Sequence, residues 1–308
     1  MTRAGFVAVI GAPNAGKSTL VNAMVGSKVT IVTRKVQTTR FPVRGVALEG
    51  DCQMVLVDTP GIFSPRRRLD RAMIRSAWTN AHGADAVVHL IDAGAQLAVA
   101  EGTASGADRA AARDVTTITD GITPGKAILA LNKIDLVRRD RLLALTATLT
   151  QGGAYREVFM ISAAKGSGVQ DLKRRLAGLM PDGPWLYPAD QSADTPVRLL
   201  AAEITREKIY LRVHEELPYA ASVETTAFEE LSDGSARIEQ TILVERDGQR
   251  GIVLGKGGQT LKWIGEAARM ELAELLDRKV HLFLHVKVRQ TWAEERGFYQ
   301  DVGLEFDV

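Results

Sequence analysis

The octapeptide at residues 11–18 constrains the fold of this chain more than any other feature of its sequence. It reads Gly-Ala-Pro-Asn-Ala-Gly-Lys-Ser and matches the pattern G-x-x-x-x-G-K-[ST]. An apolar, strand-like run at residues 6–10 precedes it, and a helical run at residues 18–25 follows it. Glycines in such a loop let backbone N–H groups turn inward, and the positive end of the next helix reinforces them. The segment therefore predicts a phosphate-binding loop between a strand and a helix.

Two side chains of this loop have predicted chemistry. Lys17 should reach the β- and γ-phosphates of a nucleotide, as the lysine of such a loop does. The Ser18 hydroxyl is placed to ligate Mg²⁺, which prefers octahedral oxygen coordination shared with phosphates. The loop therefore predicts a nucleotide bound together with Mg²⁺.

Residues 58–61 read Asp-Thr-Pro-Gly and follow the apolar run at residues 54–57. Asp58 is then expected at the carboxyl end of a strand, where ligands bind in open α/β sheets. Its carboxylate can hold Mg²⁺ through water, and Gly61 offers a backbone N–H near the γ-phosphate. The next segment, with three arginines at residues 66–68, is expected to move when that phosphate leaves.

Asn-Lys-Ile-Asp at residues 132–135 predicts which base is bound, and it follows the apolar run at residues 127–131. The Asp135 carboxylate can accept hydrogen bonds from guanine N1–H and N2–H₂, whereas adenine offers no such pair of donors. An unsatisfied buried polar group costs on the order of 1 to 3 kcal/mol, and more when charged, so ATP is disfavoured. Lys133 is expected to lie along the plane of the base.

Two further segments complete the predicted site. Backbone N–H groups of residues 162–164, after the apolar run at residues 158–161, can donate to guanine O6. Either Thr38 or Thr39 could close on Mg²⁺ and the γ-phosphate, and Thr39 is favoured. The predicted GTP-binding residues are Gly11, Ala12, Pro13, Asn14, Ala15, Gly16, Lys17, Ser18, Thr19, Asp58, Thr59, Pro60, Gly61, Asn132, Lys133, Asp135, Ser162, Ala163 and Ala164. The predicted catalytic residues are Lys17, Thr39, Asp58 and Gly61, and the predicted Mg²⁺ ligands are Ser18, Thr39 and Asp58.

These motifs, in this order, resemble those of the translation-factor-like GTPases. Ras-like GTPases carry a water-orienting glutamine just after Gly61, where this chain has Ile62. Hydrolysis is therefore expected to be slow unless the backbone, another residue or a partner positions the water. Asn14 has two interpretations. It is either a turn residue or, as related bacterial GTPases imply, a ligand of a K⁺ ion that acts like an arginine finger.

Apolar, β-branched runs alternate with helical segments in the first part of the chain. Their continuous hydrophobicity predicts parallel strands buried on both faces, and hence a three-layer α/β/α domain over residues 1–180. Four of the ten prolines fall in residues 181–196, which predicts a linker. We interpret residues 93–125, which look stretched, as a helix with a mobile insertion. The strand-like runs lie at residues 6–10, 54–57, 86–91, 127–131 and 158–161.

Residues 197–308 predict a smaller α+β domain with the order helix, strand, strand, helix, strand. Gly-Lys-Gly-Gly at residues 255–258 has the G-x-x-G form of a KH domain, here of type II. Such a loop admits phosphates, and an adjoining apolar groove takes bases of about four nucleotides. The predicted RNA-binding residues are Arg246, Arg250, Gly255, Lys256, Gly257, Gly258 and Lys262. The predicted elements span residues 197–216, 220–226, 237–245, 255–276 and 280–288.

The helix that follows this glycine loop has a predicted core face. Apolar residues recur there at helical spacing. They are Ile264, Ala267, Ala268, Leu272 and Leu275. Trp263 has two interpretations, as a residue that stacks on a base or as a packing residue beside Ile264.

Composition narrows the class of protein. A hydrophobic fraction of 45% and a charged fraction of 25% are average for a soluble globular chain. The N-terminal residues lead into a strand-like run rather than a signal peptide, and no apolar stretch approaches about 18 residues. Cys52 is the one cysteine, so a reducing cytoplasm fits. Residues 197–308 carry 15 basic and 20 acidic side chains, so RNA binding there must depend on local geometry rather than bulk charge.

Together with the segments at residues 35–40, 204–208, 216–219 and 242–246, these motifs resemble the Era family of bacterial GTPases over nearly the whole chain. The resemblance implies binding near the 3′ end of 16S ribosomal RNA, a role in 30S subunit assembly and peripheral association with the inner membrane. A cytoplasmic monomer is expected. The alternative is a signalling or membrane-associated GTPase switch whose C-terminal domain binds a protein partner. An ATP-dependent enzyme is disfavoured by Asp135.

Overall fold

The computed structural model describes residues 2–33, 35, 37–213 and 217–308. Backbone contacts divide the chain into two compact units. The first comprises Met1–Thr30, Thr39–Asp194 and Leu304–Val308, and the second comprises Ile31–Thr38 and Thr195–Gly303. Each unit is therefore built from more than one stretch of sequence. Within the described ranges, no helix has both the length and the apolar character needed to cross a membrane.

The first unit is organised around a sheet of six strands in the described residues. The strands are β1 (Arg3–Ile10), β2 (Val43–Glu49), β3 (Cys52–Asp58), β4 (Ala86–Asp92), β5 (Ala127–Asn132) and β6 (Tyr155–Met160). Their order is β2-β3-β1-β4-β5-β6, with β2 antiparallel to β3 and the other neighbours parallel. The sequence did not predict β2, because Arg44 and Gly45 interrupt its apolar pattern.

Helices cover both faces of this sheet. They are α1 (Lys17–Val25), α2 (Arg68–Gly83), α3 (Ala93–Ala100), α4 (Gly106–Gly121), α5 (Arg139–Thr150) and α6 (Val169–Ala177). Leu20 of α1 and Leu172 of α6 pack in one core cluster with Val9 of β1. Ala77 of α2 packs in a second cluster with Ala8 of β1. Since adjacent residues of a strand face opposite sides of a sheet, these clusters confirm the predicted three-layer α/β/α fold.

Residues 93–125 contain two helices, α3 and α4, where one helix with a mobile insertion was predicted. The Asp92 carboxylate accepts a hydrogen bond from Gly94 N–H at 2.9 Å and caps the start of α3. The Ser105 hydroxyl accepts one from Asp108 N–H at 3.2 Å and caps the start of α4. These caps define two helix starts, which the dilute apolar pattern of the segment concealed.

The second unit contains a three-stranded sheet and helices. Its elements are α7 (Val197–Arg212), β7 (Ala221–Glu230), β8 (Ala236–Val244), α8 (Asp247–Leu254), α9 (Gln259–Leu275), β9 (Val280–Val288) and α10 (Arg296–Asp301). β7 pairs antiparallel with β8, and β8 pairs parallel with β9. The predicted order missed α8, because this eight-residue helix contains Gly248 and Gly251 and has Val253 as its buried residue. The smaller α+β fold and its KH assignment are confirmed.

Two predicted helix features need correction. α7 ends at Arg212, short of the predicted residue 216, and residues 214–216 lie outside the described residues. Leu275 is 38% exposed, because it lies at the end of α9, and Leu276 packs against the core instead. The predicted core residues that are buried are Ile264, Ala268 and Leu272, and Ala267 is half-buried.

Two short segments pack in the unit that their sequence neighbours do not belong to. Ile31–Thr38 belongs to the second unit, and Leu304–Val308 belongs to the first. In the first unit Leu304 is buried, and Glu305 forms an ion pair with Arg75 of α2 at 2.8 Å. The two units thus exchange segments.

Candidate functional site

The loop at residues 11–16 connects β1 to α1, which begins with Lys17 and Ser18 of the motif. Gly16 has a φ of 101°, and a Cβ atom there would lie 2.4 Å from Nδ2 of Asn132. That amide donates to the Ala15 carbonyl at 2.8 Å, so a side chain at position 16 would disturb the contact between the loop and β5. Asn14 has a φ of 62° and is exposed, which is compatible with either of its two interpretations.

Lys17, the first residue of α1, is a buried cation. Its Nζ donates to the carbonyls of Gly11 at 3.1 Å and Ala12 at 2.9 Å. Burial lowers the pKa of Lys17 to about 8, and the negative charge of Asp58 opposes that shift. Ionised oxygens are stronger acceptors for an ammonium group than carbonyls are, so an incoming phosphate would replace these contacts favourably.

Hydroxyl groups converge on one carboxylate at the end of β3. Three of them donate to Asp58 Oδ2. They belong to Ser18 at 2.7 Å, Thr30 at 2.8 Å and Thr39 at 3.1 Å. Ser18 Oγ and Thr39 Oγ1 lie 3.0 Å apart. Burial raises the pKa of Asp58, and the Ser18 hydrogen bond and the charge of Lys17 oppose that shift.

This cluster fits a hard divalent cation. Asp58 Oδ1 is buried and lacks a hydrogen-bond partner in the described part of the chain. A buried oxygen of this kind is costly unless it is paired, and a cation or a water bound to one would pair it. Mg²⁺ takes oxygen ligands and shares its shell between protein, phosphates and water. One carboxylate and two hydroxyls are therefore a sufficient protein contribution.

The structure separates the two candidate threonines. Thr39 is buried and its Oγ1 belongs to the Asp58 cluster. Thr38 Oγ1 instead lies 2.6 Å from Thr33 Oγ1 and donates to the Lys35 carbonyl at 2.7 Å. The geometry therefore brings Thr39, and not Thr38, to the proposed Mg²⁺ ligands.

The segment after Asp58 runs alongside the phosphate loop. Thr59 Oγ1 donates to the Val9 carbonyl at 2.8 Å, and Ile62 N–H donates to the Gly11 carbonyl at 3.1 Å. Pro60 and Gly61 lie between these two anchors. Ile62 is 2% exposed and packs in the core, so its side chain does not face water.

The residues predicted to select the base lie at the ends of β5 and β6. Asn132 is buried, and its Oδ1 accepts the Ala163 N–H at 2.9 Å. Lys133 has a φ of 64°, and its Nζ lies 2.6 Å from Asp92 Oδ2. Asp135 is exposed, so its carboxylate is open to a ligand.

The three predicted donors to guanine O6 differ in their present bonding. Ser162 N–H donates to Ser167 O at 2.9 Å, and Ala163 N–H donates to the Asn132 side chain. The Ala164 N–H has no acceptor within the described ranges. It is therefore the backbone donor of this turn that an outside acceptor can take without competition.

Sequence reasoning missed three residues that support the site. The Thr30 hydroxyl donates to Asp58. The Asn22 side chain holds the Thr30 backbone, because its Oδ1 accepts from the Thr30 N–H at 3.1 Å and its Nδ2 donates to the Thr30 carbonyl at 2.8 Å. Asp92 pairs with Lys133. Asp92 had a detectable signal, because it ends an apolar run just as Asp58 does. Thr30 and Asn22 had none, since their contacts depend on the path of the chain after α1.

The glycine loop of the second unit has a strained backbone that suits glycine. Gly255, Gly257 and Gly258 have φ values of 71°, 61° and 79°. A Cβ atom at Gly255 would lie 2.3 Å from Thr260 Oγ1, whereas nothing lies within 4 Å of one at Gly257. The loop is therefore closed at one glycine and open at another, at the start of the 17-residue helix α9.

A groove of about 550 Å³ lies beside this loop. Its walls include the apolar residues Leu261, Leu282 and Leu284 and the charged residues Lys262, Glu266 and Arg269. Of the predicted RNA-binding residues, Gly258 and Lys262 line the groove. Arg246, Arg250 and Lys256 are exposed but are not among its lining residues. Glu266 and Arg269 were not predicted, because charged positions on a helix are usually solvated surface.

Trp263 lies on the surface of α9. It is 39% exposed, and the Arg212 guanidinium lies 5.5 Å from its ring centre. The ring is partly packed and partly exposed, so both interpretations stay predictions. An exposed indole ring remains able to stack on a base.

Two family models match this chain. One, described as 50S ribosome-binding GTPase, matches residues 6–133, and one described as KH domain matches residues 216–293. The first range runs from β1 through the phosphate loop to Lys133. The second contains the glycine loop and the groove.

Similar proteins match over nearly the full length. A Caulobacter vibrioides protein named GTPase Era is 69% identical over 309 residues, covering 100% of this chain and 98% of that protein. A crystal structure of Era in complex with MgGDPNP and nucleotides 1506-1542 of 16S ribosomal RNA is 32% identical, with a TM-score of 0.87. A crystal structure of an Aquifex aeolicus Era variant bound to GDP.AlF4- is 33% identical, with a TM-score of 0.86. Each structure covers 98% of this chain, and 99% of its own chain is matched.

Proposed function

This chain belongs to the GTPase Era family, and from that premise we propose that it is a GTP-dependent switch that binds single-stranded RNA. It is a GTPase with a P-loop α/β domain and a KH domain. The observation that carries the RNA proposal is the open glycine loop beside an apolar groove with charged residues in its walls. A loop of this kind presents backbone to phosphates, and a groove of this kind accommodates bases.

In this proposal the predicted GTP-binding residues hold a guanine nucleotide, and Ser18, Thr39 and Asp58 hold Mg²⁺. The ion, when bound, neutralises charge on the phosphate oxygens. Lys17 exchanges its carbonyl acceptors for phosphate oxygens. Its pKa of about 8 leaves it mostly protonated at neutral pH, so it stabilises negative charge that develops during phosphoryl transfer.

Water activation in this site does not involve a side chain at position 62. The Ile62 side chain is buried in the core, so the attacking water is oriented by backbone groups or by a partner. Asn14, exposed in the phosphate loop, is the proposed ligand of K⁺. Replacing K⁺ by Na⁺ is then expected to slow hydrolysis in the wild type but not in Asn14→Ala.

RNA binding is assigned to the glycine loop and groove of the second unit. Lys262 and Arg269 supply positive charge for phosphates, and the leucines of the groove contact bases. Glu266 can accept a hydrogen bond from an exocyclic amine, which adds base preference. The exposed Arg246, Arg250 and Lys256 are proposed to contact phosphates next to the groove.

The proposed target is the 3′ region of 16S ribosomal RNA. Support comes from the Era structure with nucleotides 1506-1542 of that RNA. A role in 30S assembly is the biological consequence we propose, and cosedimentation with separated 30S and 50S particles tests it. Association with 50S particles alone would contradict it. Peripheral membrane association is proposed on family resemblance alone, and vesicle flotation tests it.

Nucleotide state is proposed to control RNA affinity. GTP orders the loops at Thr39 and at residues 58–68, which changes how the second unit is presented to RNA, and hydrolysis releases the RNA. A ligand shifts an equilibrium only through its differential affinity for the two states. The GTP-analogue and GDP forms must therefore differ in RNA affinity, and equal affinities would remove the basis of this mechanism.

The test is binding of a fluorescent oligonucleotide copied from the 3′ end of 16S ribosomal RNA, with GDP or a non-hydrolysable GTP analogue. Wild type is compared with Gly257→Asp and with the matched control Gly257→Asn. Both side chains tolerate a positive φ and both point into open space, so they differ in charge alone. Tight, nucleotide-dependent binding that Asp abolishes and Asn largely retains supports the proposal.

The same experiment separates the alternative function. If neither nucleotide state binds RNA, the second unit binds something other than RNA, and a signalling switch with a protein partner becomes the better account. GTP turnover is measured separately on the same protein preparations without RNA, so that result would leave the GTPase assignment intact.

A further inference from the structure

The loop segment Ile31–Thr38 is held within the second unit by consecutive side chains of α7. Near its start, Val32 N–H donates to Glu207 Oε1 at 2.9 Å. At its end, Arg206 Nη2 donates to the Thr38 carbonyl. We call Arg206 and Glu207 the clamp.

The two residues that flank the loop segment both reach the proposed metal site of the first unit. Thr30 precedes the segment and Thr39 follows it, and both hydroxyls donate to Asp58 Oδ2, at 2.8 and 3.1 Å. Thr39 Oγ1 is also 3.0 Å from Ser18 Oγ. The clamp therefore holds both ends of a segment whose neighbours share one carboxylate oxygen.

Arg206 is itself fixed in place. It is 1% exposed, its Nε donates to Glu203 Oε1 at 2.7 Å, and its Nη2 pairs with Glu203 Oε2. Its guanidinium lies 5.2 Å from the Tyr210 ring centre. A buried ion pair is weak evidence for stability, because apolar residues of similar volume often replace one without loss. The pair does, however, direct a rigid donor at one backbone carbonyl.

That carbonyl is covalently joined to Thr39. Since the peptide bond is planar, holding the Thr38 oxygen also holds the plane that contains N and Cα of Thr39. We propose that Arg206 is a positioning residue for GTP hydrolysis, which acts through the Thr38 carbonyl to hold the Thr39 hydroxyl at Asp58. Glu207 holds the other end of the segment at Val32, two residues from Thr30. The inference rests on the proposed role of Thr39 as a Mg²⁺ ligand.

The first test removes the whole buried pair. Glu203→Leu/Arg206→Met deletes both charges, so no unpaired carboxylate is left buried. We expect kcat for GTP, measured without RNA, to fall about 10- to 100-fold, since small displacements of positioning groups cost that much. KM for GTP should change by less than about threefold, because the phosphate loop and Asp135 bind the nucleotide without Arg206. The Mg²⁺ concentration for half-maximal rate should rise.

Further variants guard against a general loss of structure. Glu203→Gln/Arg206→Gln keeps two hydrogen-bonding side chains without charge. The kcat comparison uses whichever of the two double variants is folded at the assay temperature. Arg206→Lys retains one donor and the ion pair, so it should recover part of kcat. Leu272→Ala, in the core of the same unit, should lower the melting temperature and leave kcat unchanged.

Two results would overturn the inference. One is a folded double variant with wild-type kcat and Mg²⁺ dependence. The other is an equal fall of kcat in Leu272→Ala below its melting temperature, since turnover would then respond to any destabilisation of the second unit. RNA is absent and wild-type turnover is the reference, so a failure of RNA binding does not affect the outcome.

Discussion

The nucleotide site and the glycine loop of the second unit are both expected to receive phosphates, yet they are held in place differently. Lys17, Asn132 and Asp58 are buried and joined to neighbours by hydrogen bonds. Gly257 is open to solvent, and its conformation is set by the backbone alone. Side-chain identity should therefore dominate the first site, and charge and backbone freedom should dominate the second.

The largest effect is expected at the buried cation. Lys17→Met should lower kcat/KM for GTP on the order of 10³-fold, because a positioned charge at the phosphates is lost. Stopped-flow nucleotide binding and phosphate release measure the change. Lys279→Met, at an exposed lysine, is the control and should match wild type. A Lys17→Met variant with near-normal turnover would show that the site does not depend on this side chain.

The next effect concerns the base. Asp135→Asn should weaken GTP binding about 10²-fold and raise affinity for XTP, since an amide can donate to xanthine O2 and accept from N1–H. Asp135 is exposed, so stability should be unchanged. Competition between labelled GDP and XDP gives the ratio. If the variant kept its preference for guanine, another residue would select the base.

A buried histidine makes the first unit sensitive to acid. Burial lowers the pKa of His89 to about 3, the positive charge of Lys17 adds to the shift, and Nδ1 lies 2.8 Å from Tyr155 Oη. Its pKa in the unfolded chain is about 6.5, so the stabilisation from the neutral ring is complete above that pH and is lost as pH falls toward 3.

Replacing this group tests the sign of the effect. Between pH 7 and pH 5 the unfolding free energy of the wild type should fall by about 2 kcal/mol more than that of His89→Gln, because glutamine does not titrate. Urea denaturation at the two pH values gives the difference, and acidic groups common to both proteins cancel. A difference that is the same at both pH values would contradict the assigned pKa.

The smallest effects are expected in the glycine loop. Gly257→Ala should cost about 1 kcal/mol, the penalty for a side chain at positive φ in open space. Gly255→Ala should cost more, because its Cβ would collide with Thr260 Oγ1. Thermal unfolding of the two variants measures both. Equal melting temperatures of the two variants would mean that Gly255 and Gly257 do not differ in how closely neighbouring atoms surround them.

The sequence predicted the nucleotide site better than the groove, and the reason lies in how local each signal is. Asp58 and Asn132 each follow an apolar run directly, so their positions at strand ends could be predicted without knowing the fold. Thr30 reaches Asp58 only through the path of the chain between α1 and β2. Arg269 lines the groove only because α9 packs beside β9.

Missed elements have the same cause. β2 forms a strand because it pairs with β3, and its own apolar pattern is weak. α8 is a short helix with two glycines. Both depend on packing against elements elsewhere in the chain. The six-stranded order and the clamp of Arg206 on Thr38 are likewise tertiary facts, which composition and spacing do not specify.

The exchange of segments has a consequence for synthesis of the chain. Residues 304–308 pack on the first unit but are translated after the whole of the second. Glu305, the partner of Arg75, is therefore translated after the second unit, and the first unit lacks this ion pair until then. Residues 31–38 likewise pack in the second unit only after α7 has been translated. The first unit therefore acquires one of its own segments only after the second unit has been translated.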